Sequence, residues 1–429
     1  MMRPVRLPAR IFGCALSKMV ARHRDDEGIT LATVMAVASI LFMLTTMILM
    51  LSSNLMTNTR SQEGRTKALH AADAGLNAYL FELRRNPSYF VSNPTLGPTT
   101  LGDTVWEVTS TAPVGTEPLK LRAVGTVASL NTVRVVQATV RFPTYADYMF
   151  LSNDYLNFGS AAVVYGKVRS NSYIINAGTF KNESYAVGTI TGSGTFEGTK
   201  YPGSVRVDYS QITQDMADIK TVAIASGTNY PKLTNTTSIT YSGYEVVLQG
   251  TSAVVSKVTG VSSTGVRTLT GAVTVAIPAS GVLFFDQDVW VSGNYAAMVT
   301  VASSANIKIP NLIQATYADR PFTCGLIAGN EVLVMSWYAG MPTNMIIEAA
   351  MLAQTGSVRA ELVIPKTKSS LVINGSMADY KMGGFVYSDN SAGFLSRSYT
   401  YSQRLNIYPP PFYPRVRTGA LKVSTWVEQ

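Results

Sequence analysis

The most constraining feature of this 429-residue chain is a long stretch without charge. Glu27 and Arg60 bound it, and no Asp, Glu, Lys or Arg lies between them. From Ile29 to Leu55 the side chains are almost all Ile, Leu, Met, Val, Ala, Thr and Ser. At about 1.5 Å per residue, a helix of that length crosses the roughly 30 Å of hydrocarbon in a bilayer. The stretch therefore predicts a membrane-spanning helix.

Basic residues on one side of this stretch predict its orientation. Positively charged segments next to a span stay in the cytoplasm. We therefore expect a single-pass protein of the cytoplasmic membrane, with its N-terminus inside and everything after residue 60 outside. The basic residues before the span are Arg3, Arg6, Arg10, Lys18, Arg22 and Arg24.

The junction ahead of the span is abrupt, because Asp25-Asp26-Glu27-Gly28 changes directly into Ile29-Thr30-Leu31. A secretory signal peptide would have a shorter apolar run that ends in a small-residue cleavage site. The junction resembles a class III leader of the type IV prepilins, which implies that a prepilin peptidase cuts between Gly28 and Ile29. Residues 1–28 would be the leader. Two departures from the family are the length of this leader and Thr33 at the fifth mature position, where most pilins carry glutamate.

The helix is expected to continue beyond the membrane. Apolar residues recur at helical spacing and form one stripe. Asn86-Pro87 ends the pattern, because proline disfavours helical geometry in the residue before it. The prediction is one helix over residues 29–86, about 85 Å long, with its first half in the membrane. The alternative is a plain membrane anchor with a helical stalk. The stripe consists of Leu69, Ala72, Leu76, Leu80 and Leu83.

Residues 87–142 predict a small antiparallel sheet. Apolar and polar residues alternate in Leu119-Leu121-Ala123 and in Val133-Val135, as in half-buried strands. The expected strands are 106–110, 119–128 and 133–142. A helix with a small antiparallel sheet is the pilin plan, so we expect this block to pack on the exported half of the helix.

Residues 143–429 have a different texture, in which short apolar runs alternate with Gly, Ser, Thr and Asn. This texture predicts many short strands, spaced irregularly at roughly 8 to 20 residues, and favours a right-handed parallel β-helix, or β-solenoid. The alternative is a β-sandwich. The run Gly325 to Val334 favours the solenoid, because it joins two strand-like segments without hairpin chemistry. The whole chain is thus expected to be mainly β. The predicted strands lie within 161–168, 173–176, 185–190, 282–285, 289–293, 298–301 and 306–309.

The second half of this region resembles the solenoid-like domain that is fused to PilX-type N-termini in many bacterial proteins. The stretch Ala68 to Leu80 likewise resembles the segment after the anchor in PilX-like and pseudopilin-like minor subunits. The resemblance implies a minor pilin of a type IV pilus or of a type II secretion-like machine, and one relative is a DNA receptor in natural transformation. The solenoid stretches that resemble the family are 325–334, 347–354, 371–376, 401–405 and 409–414.

The expected exported part has few residues of the types that catalysis uses most often. It holds one histidine, His70, and one cysteine, Cys324. These cannot form a zinc cluster or a Ser/His/Asp triad, so we expect no enzyme, no metal and no cofactor. His70 is expected to pack beside the stripe, and Cys324 to be a buried small hydrophobe. Asp286 and Asp288 are the one acidic pair that a glycosidase or a calcium site could use, although such pairs are usually solvated.

A nucleic-acid site is the second alternative. Residues 143–429 hold 20 basic and 17 acidic residues, but Arg359 to Lys422 holds nine basic and three acidic. Basic charge beside aromatic faces is what a single-strand groove uses; the other interpretation is that the aromatic residues cap the solenoid end. The candidate contacts with DNA or a surface ligand are Arg397, Arg404, Arg415, Arg417, Tyr399, Tyr401 and Tyr413.

Together these patterns predict a minor pilin or pseudopilin that displays a β-solenoid for adhesion, surface binding or filament priming. Its expected partners are a prepilin peptidase, other pilins along the N-terminal helix, the membrane, and DNA or a surface ligand. The alternatives are a DNA-binding tip subunit for natural transformation, a static surface adhesin that keeps residues 1–28, and an anchored polysaccharide-acting enzyme.

Overall fold

A computed structural model describes residues 29–85, 89–112, 118–141, 143–237, 239–317, 321–416 and 422–428. The first element is helix α1, Ile29–Arg85, of 57 residues. Its existence and its length agree with the prediction. The predicted leader, including Gly28, lies outside the described residues.

A small antiparallel sheet follows α1 and the short helix α2, Tyr89–Ser92. Adjacent strands pair in the order β1-β2-β3-β4. The structure confirms three predicted strands and adds β1, which the sequence pattern did not indicate. The strands are β1 Thr95–Leu101, β2 Thr104–Thr111, β3 Leu119–Val127 and β4 Thr132–Arg141.

The second half of α1 packs on this sheet through the predicted stripe. Ala72, Leu76 and Leu83 are fully buried, and they face the buried side chains of β3. The closest approach is at Gly125 of β3, where a Cβ atom would lie 1.9 Å from the carbonyl oxygen of Ala68. A side chain at this position would push the helix off the sheet, so glycine permits the contact.

Most of the remaining strands form a parallel β-solenoid, which excludes the β-sandwich alternative. In its first arm the pairing recurs at a constant interval along the chain, because Val163 pairs with Thr179 and Thr179 with Thr195. This regular repeat was not recognised in the sequence. The strands of the first arm are β5 Phe150–Ser152, β6 Leu156–Phe158, β7 Val163–Tyr165, β8 Val168–Ser170, β9 Ile174–Asn176, β10 Thr179–Phe180, β11 Ser184–Ala186, β12 Ile190–Thr191, β13 Thr195–Phe196 and β14 Lys200–Tyr201.

Helix α3, Ile212–Ala225, and strand β15, Asn229–Tyr230, begin the second arm. An antiparallel meander then extends one end of the solenoid. Its strands are β16 Gly243–Gly250, β17 Ser252–Val261 and β18 Arg267–Ala276. Of the three, β16 also pairs in parallel with β20 of the solenoid.

The second arm has longer turns than the first, as the pairing of Val299 with Cys324 illustrates. All its solenoid strands pair in parallel. They are β19 Val282–Phe285, β20 Val289–Tyr295, β21 Val299–Ser303, β22 Ile307–Ile309, β23 Ile313–Ala315, β24 Cys324–Ala328, β25 Val332–Val334, β26 Asn344–Ile347, β27 Ala350–Ala353, β28 Val358–Ala360, β29 Thr367–Asp379 and β30 Gly393–Tyr401.

The two arms meet in the middle of the stack. Strand β29 pairs with β5, and β30 lies between β29 and β7. The chain therefore enters the solenoid at its centre, builds outward to β14, returns through α3, and builds back to β5. Buried aromatic rings cross the meeting point, because the Phe150 ring contacts Phe158 at 4.9 Å and Tyr399 at 5.0 Å between centroids.

One face of the solenoid is covered from outside, which explains why β19, β21, β24 and β27 are buried along their whole length. Helix α3 buries Ile212, Met216 and Ile219 on this face. The proline-rich segment that follows helix α4, Arg404–Ile407, covers the rest, with Pro410 and Pro411 against Gly325 and Gly281.

The chain finally returns to the small sheet. Strand β31, Lys422–Glu428, pairs with β4 as the fifth strand of that sheet. This corrects the predicted boundary of a solenoid domain over residues 143–429. The solenoid is an insertion between two neighbouring strands of the small sheet, and two chain segments connect it there. The predicted class, a mainly β chain with a long N-terminal helix, a small sheet and a solenoid, is confirmed.

Candidate functional site

The first half of α1 exposes apolar side chains on every side. Between Leu31 and Met56 its large apolar residues are 51% to 72% exposed. Among the described residues, α1 is the one helix that is long and apolar enough to cross a membrane. A helix that is apolar all round needs either lipid or other helices as its surroundings.

Several hydroxyl groups in and just after this segment are hydrogen-bonded within the helix. The hydroxyl groups of Ser39, Thr45 and Thr46 each donate a hydrogen bond to a backbone carbonyl three or four residues earlier. Thr57 and Thr59 do the same. Because unsatisfied polar groups are costly in hydrocarbon, this pattern suits a helix without polar partners outside itself.

The predicted processing site lies at the start of this helix. Ile29 is the first residue of α1, and Gly28 lies outside the described residues. Thr33, the fifth residue after the predicted cleavage point, lines a shallow apolar groove with Val34, Val37 and Leu41. Cleavage between Gly28 and Ile29 stays a prediction.

The second half of α1 is held to the sheet by a buried tyrosine. The Tyr79 hydroxyl lies 2.6 Å from the backbone oxygen of Asn93 and 2.9 Å from Ser110 Oγ. Burial raises the pKa of Tyr79 above its usual value, so the hydroxyl keeps its proton. His70, expected to pack beside the stripe, is exposed instead, because it points away from the sheet.

A buried ion pair joins the small sheet to the solenoid. Arg141 ends β4, and its Nη2 atom donates a 2.6 Å hydrogen bond to Asp147 Oδ1, in the turn before β5. Arg141 Nε also donates to the backbone oxygen of Asn406, 2.7 Å away in α4. Both charged side chains are at most 5% exposed. The entering and the leaving chain segments are thereby fixed to each other.

The predicted aromatic contacts are not available as a binding surface. Tyr399, Tyr401 and Tyr413 are 4%, 9% and 3% exposed. Burial raises the pKa of all three hydroxyls above the usual value. Because Tyr399 and Tyr401 stand two residues apart on β30, both point into the core. The expectation that these rings present faces for stacking is therefore wrong.

The predicted arginines are not brought together either. Arg397 is half-buried and donates to the backbone oxygen of Phe394 at 2.6 Å. Arg404 is half-buried and lies near Glu348 and the backbone oxygen of Phe322. Arg415 is exposed beside the bridge to Thr144, and Arg417 lies outside the described residues.

The acidic pair has structural partners. Asp286 accepts a 2.7 Å hydrogen bond from Lys220 of α3. Asp288 binds Lys308 at 2.9 Å and also accepts from the backbone and side chain of Asn306. Each carboxylate thus holds two parts of the solenoid together, which does not support the catalytic alternative. Within the described ranges no group of three His, Cys, Asp or Glu residues could hold a metal ion.

Cys324 is buried in β24, as expected, and burial raises the pKa of its thiol to about 12. A thiol in this state is a poor nucleophile at neutral pH, because the thiolate is the reactive form. Cys324 is therefore part of the core.

A cleft of about 630 Å³, here called the α3 cleft, lies where the chain crosses from β14 to α3. Its floor is formed by Gln354, Tyr380 and Asn153, and its wall by residues 206–210 and Thr213. Sequence reasoning missed it, because these side chains come from four separate segments of the chain. The signal that could have found it is the common position of the three floor residues, each directly after a strand.

No protein-family model and no curated protein matches this chain. The crystal structure of the competence-associated pilin ComZ from Thermus thermophilus has a TM-score of 0.36 and 13% identity, over 85% of this chain and 97% of that chain. An ice-binding protein from the Antarctic ascomycete Antarctomyces psychrotrophicus has a TM-score of 0.31 and 11% identity, over 60% and 96%. An ice binding protein from an Antarctic Biological Consortium has a TM-score of 0.24 and 10% identity, over 62% and 94%. Similarity this low does not indicate a shared function.

Proposed function

We propose that this protein is a minor pilin or pseudopilin that displays a β-solenoid outside the cytoplasmic membrane. The observation that carries the proposal is α1 itself, one uninterrupted helix of 57 residues. Its first half exposes apolar side chains all round, and its second half is buried on an antiparallel sheet. A plain anchor needs no rigid continuation of this kind between the membrane and the folded domain.

The same apolar surface suits both states of a pilin subunit. In the membrane, lipid covers the segment 29–55, where the hydroxyl groups of Ser39, Thr45 and Thr46 are already hydrogen-bonded within the helix. In a filament, the helices of neighbouring subunits replace the lipid. The neutral Thr33 offers no carboxylate to a neighbour's amino terminus, which favours a position with no subunit above it, such as a filament tip, or a role in priming.

The small sheet would carry the solenoid as a rigid outer part. Two strands, β4 and β31, lead to the insertion, and the Arg141–Asp147 pair closes its base. A force applied to the solenoid is therefore shared by two chain segments that are hydrogen-bonded to each other. This construction suits a subunit that binds a surface while the filament is under tension.

Processing of the N-terminus tests the proposal. The full chain is produced in cells that hold a prepilin peptidase, and the N-terminal mass of the membrane-bound protein is measured. We expect a mature chain that begins at Ile29, and retention of residues 1–28 after Gly28→Ala. Gly13→Ala, a glycine change within the leader, should leave processing intact.

An intact Met1 terminus in the unmodified protein would overturn the proposal and leave a single-pass surface protein. If processing occurs, the protein should also co-purify with sheared filaments. A DNA-binding role at the filament tip is not favoured over adhesion, surface binding or priming, because the tyrosines that would stack on bases are buried.

A further inference from the structure

The floor of the α3 cleft is a regular row of side chains. Ala353, Asp379 and Ser152 are register partners on β27, β29 and β5. The residues that follow them, Gln354, Tyr380 and Asn153, therefore occupy the same corner on three successive turns. Adjacent strands lie about 4.8 Å apart, so the row presents an amide, an aromatic ring and an amide over about 10 Å.

The aromatic ring in the middle of the row is accessible and supported. Tyr380 is 41% exposed. Its ring meets the ring of Tyr209 edge to face, with 5.9 Å between centroids. Tyr209 is buried and its hydroxyl donates to the backbone oxygen of Leu151 at 3.0 Å. The exposed ring thus rests on the core and can stack against a ligand without ordering a loose side chain.

The amides on either side of the ring are held in place by the cleft wall. Asn153 Oδ1 accepts a 2.7 Å hydrogen bond from Arg206. Gln354 Nε2 donates a 2.7 Å hydrogen bond to the hydroxyl of Thr213. Fixed amides of this kind lose little conformational entropy when a ligand binds.

Charge in the cleft is balanced. Arg206 and Asp208 are the charged residues of its lining, one of each sign. Asp208 accepts hydrogen bonds from the backbone and the hydroxyl of Ser210, which lower its pKa and keep it ionised. With one charge of each sign, the cleft favours neither a phosphate nor a cationic peptide. The guanidinium of Arg206 and the carboxylate of Asp208 can both form hydrogen bonds to hydroxyl groups.

We propose that the α3 cleft binds a neutral pyranose oligosaccharide. An accessible ring offers its face to the C–H side of a sugar, while amides, a guanidinium and a carboxylate bond to the hydroxyl groups at its edge. The expectation that the cleft encounters such a glycan outside the cell rests on the proposed function. Binding itself is a property of the cleft.

Saturation-transfer difference NMR on the full chain tests the proposal. The protein is held in a detergent without a sugar headgroup, and the probes are cellotriose, maltotriose and triacetylchitotriose, with oligothymidine as a charged comparison. We expect transfer to at least one trisaccharide and at least tenfold weaker binding after Tyr380→Ala. Tyr165→Ala, which removes a ring that is 46% exposed on β7, should leave binding unchanged.

Thr213→Val is the second variant, because it removes the partner of Gln354 and retains the side-chain shape. It should also weaken binding, by several-fold. The proposal is overturned if no trisaccharide receives saturation, if oligothymidine alone does, or if both cleft variants bind like the unmodified protein. Processing to Ile29 is measured on the same samples, so that failure of the glycan site and failure of the pilin assignment are seen separately.

Discussion

Arg141 Nη2 lies 2.6 Å from Asp147 Oδ1, between the last residue of β4 and the turn that opens the solenoid. The pair is buried, and Arg141 also binds the backbone of Asn406 where the chain is about to leave the solenoid. The backbone amide of Thr144 also donates a 3.1 Å hydrogen bond to Asp147 Oδ2. One guanidinium therefore connects the small sheet with both ends of the insertion.

Asp147→Asn should strongly destabilise this junction. The substitution keeps the shape of the side chain and leaves the buried guanidinium without its counter-charge. Breaking a buried pair in this way typically costs about 3–5 kcal/mol in the free energy of unfolding. Urea unfolding followed by pulse proteolysis measures the change, and cleavage is expected first near residues 141–147.

Glu197→Gln provides the control for this prediction. Glu197 pairs with Lys181 on the solenoid surface, where the two side chains are 48% and 33% exposed. Exposed pairs contribute about 0–1 kcal/mol. If Asp147→Asn changes the stability as little as Glu197→Gln does, the junction is not fixed by the buried pair.

Gly125→Ala should separate α1 from the small sheet. The new Cβ atom would lie 1.9 Å from the carbonyl oxygen of Ala68 and 2.6 Å from the amide nitrogen of Ala72. Both are backbone atoms and cannot turn aside, so the helix must shift. We expect a loss of at least the roughly 1–3 kcal/mol that is usual for overpacking, measured by urea unfolding.

Gly159→Ala is the matched change, because a Cβ atom there meets no atom within 4 Å. It should leave the stability within about 0.5 kcal/mol of the unmodified chain. Equal effects of the two glycine changes would contradict the close approach of α1 to β3.

Asp379 should make the protein less stable as the pH rises. Burial raises the pKa of this carboxyl to about 8 in the folded chain, whereas it is about 3.9 when unfolded. Between these values the folded state binds more protons, so the free energy of unfolding falls with increasing pH. The loss is on the order of 5 kcal/mol, at about 1.36 kcal/mol per pKa unit.

Asp379→Asn should remove most of this slope, as measured by unfolding at pH 5, 7 and 9. Asp389→Asn serves as the control, since hydrogen bonds from Ser391 lower the pKa of Asp389 and it does not titrate in this range. A slope that persists in Asp379→Asn would show that another group controls the pH dependence.

Local signals predicted α1 and most of the small sheet. The charge-free stretch, the apolar stripe and Asn86-Pro87 all act within a few turns of helix, and the helix was recognised almost to its last residue. Strand β1 was missed because Gly97 and Pro98 interrupt its pattern. Strand β31 was missed because the whole solenoid separates it along the chain from its partner, β4.

For the same reason, a local sequence pattern could not predict the order of the solenoid turns. The insertion of β30 between β29 and β7 depends on pairing of the last solenoid strand with a strand near the start of the solenoid, far away along the chain. The floor of the α3 cleft is likewise formed by residues at the corners of three different turns. The error at Tyr399 and Tyr401 was avoidable, because their period of two already placed both rings on one side of a strand.

Removal of one complete turn should leave the first arm folded. Residues 179–194 form one full repeat, and their deletion brings β7 directly against β13, where Val164 takes the place of Phe180 beneath Phe196. The strands of each turn pair only with those of the neighbouring turns, so the stack can be shortened in register. Deletion of residues 179–191 also shortens the chain but shifts every inward side chain out of register, and it should unfold the arm. Circular dichroism and hydrogen–deuterium exchange of residues 163–201 measure both outcomes, because pairing between turns protects the backbone amides of a folded arm. If the two deletions behave alike, register between turns does not hold the first arm together.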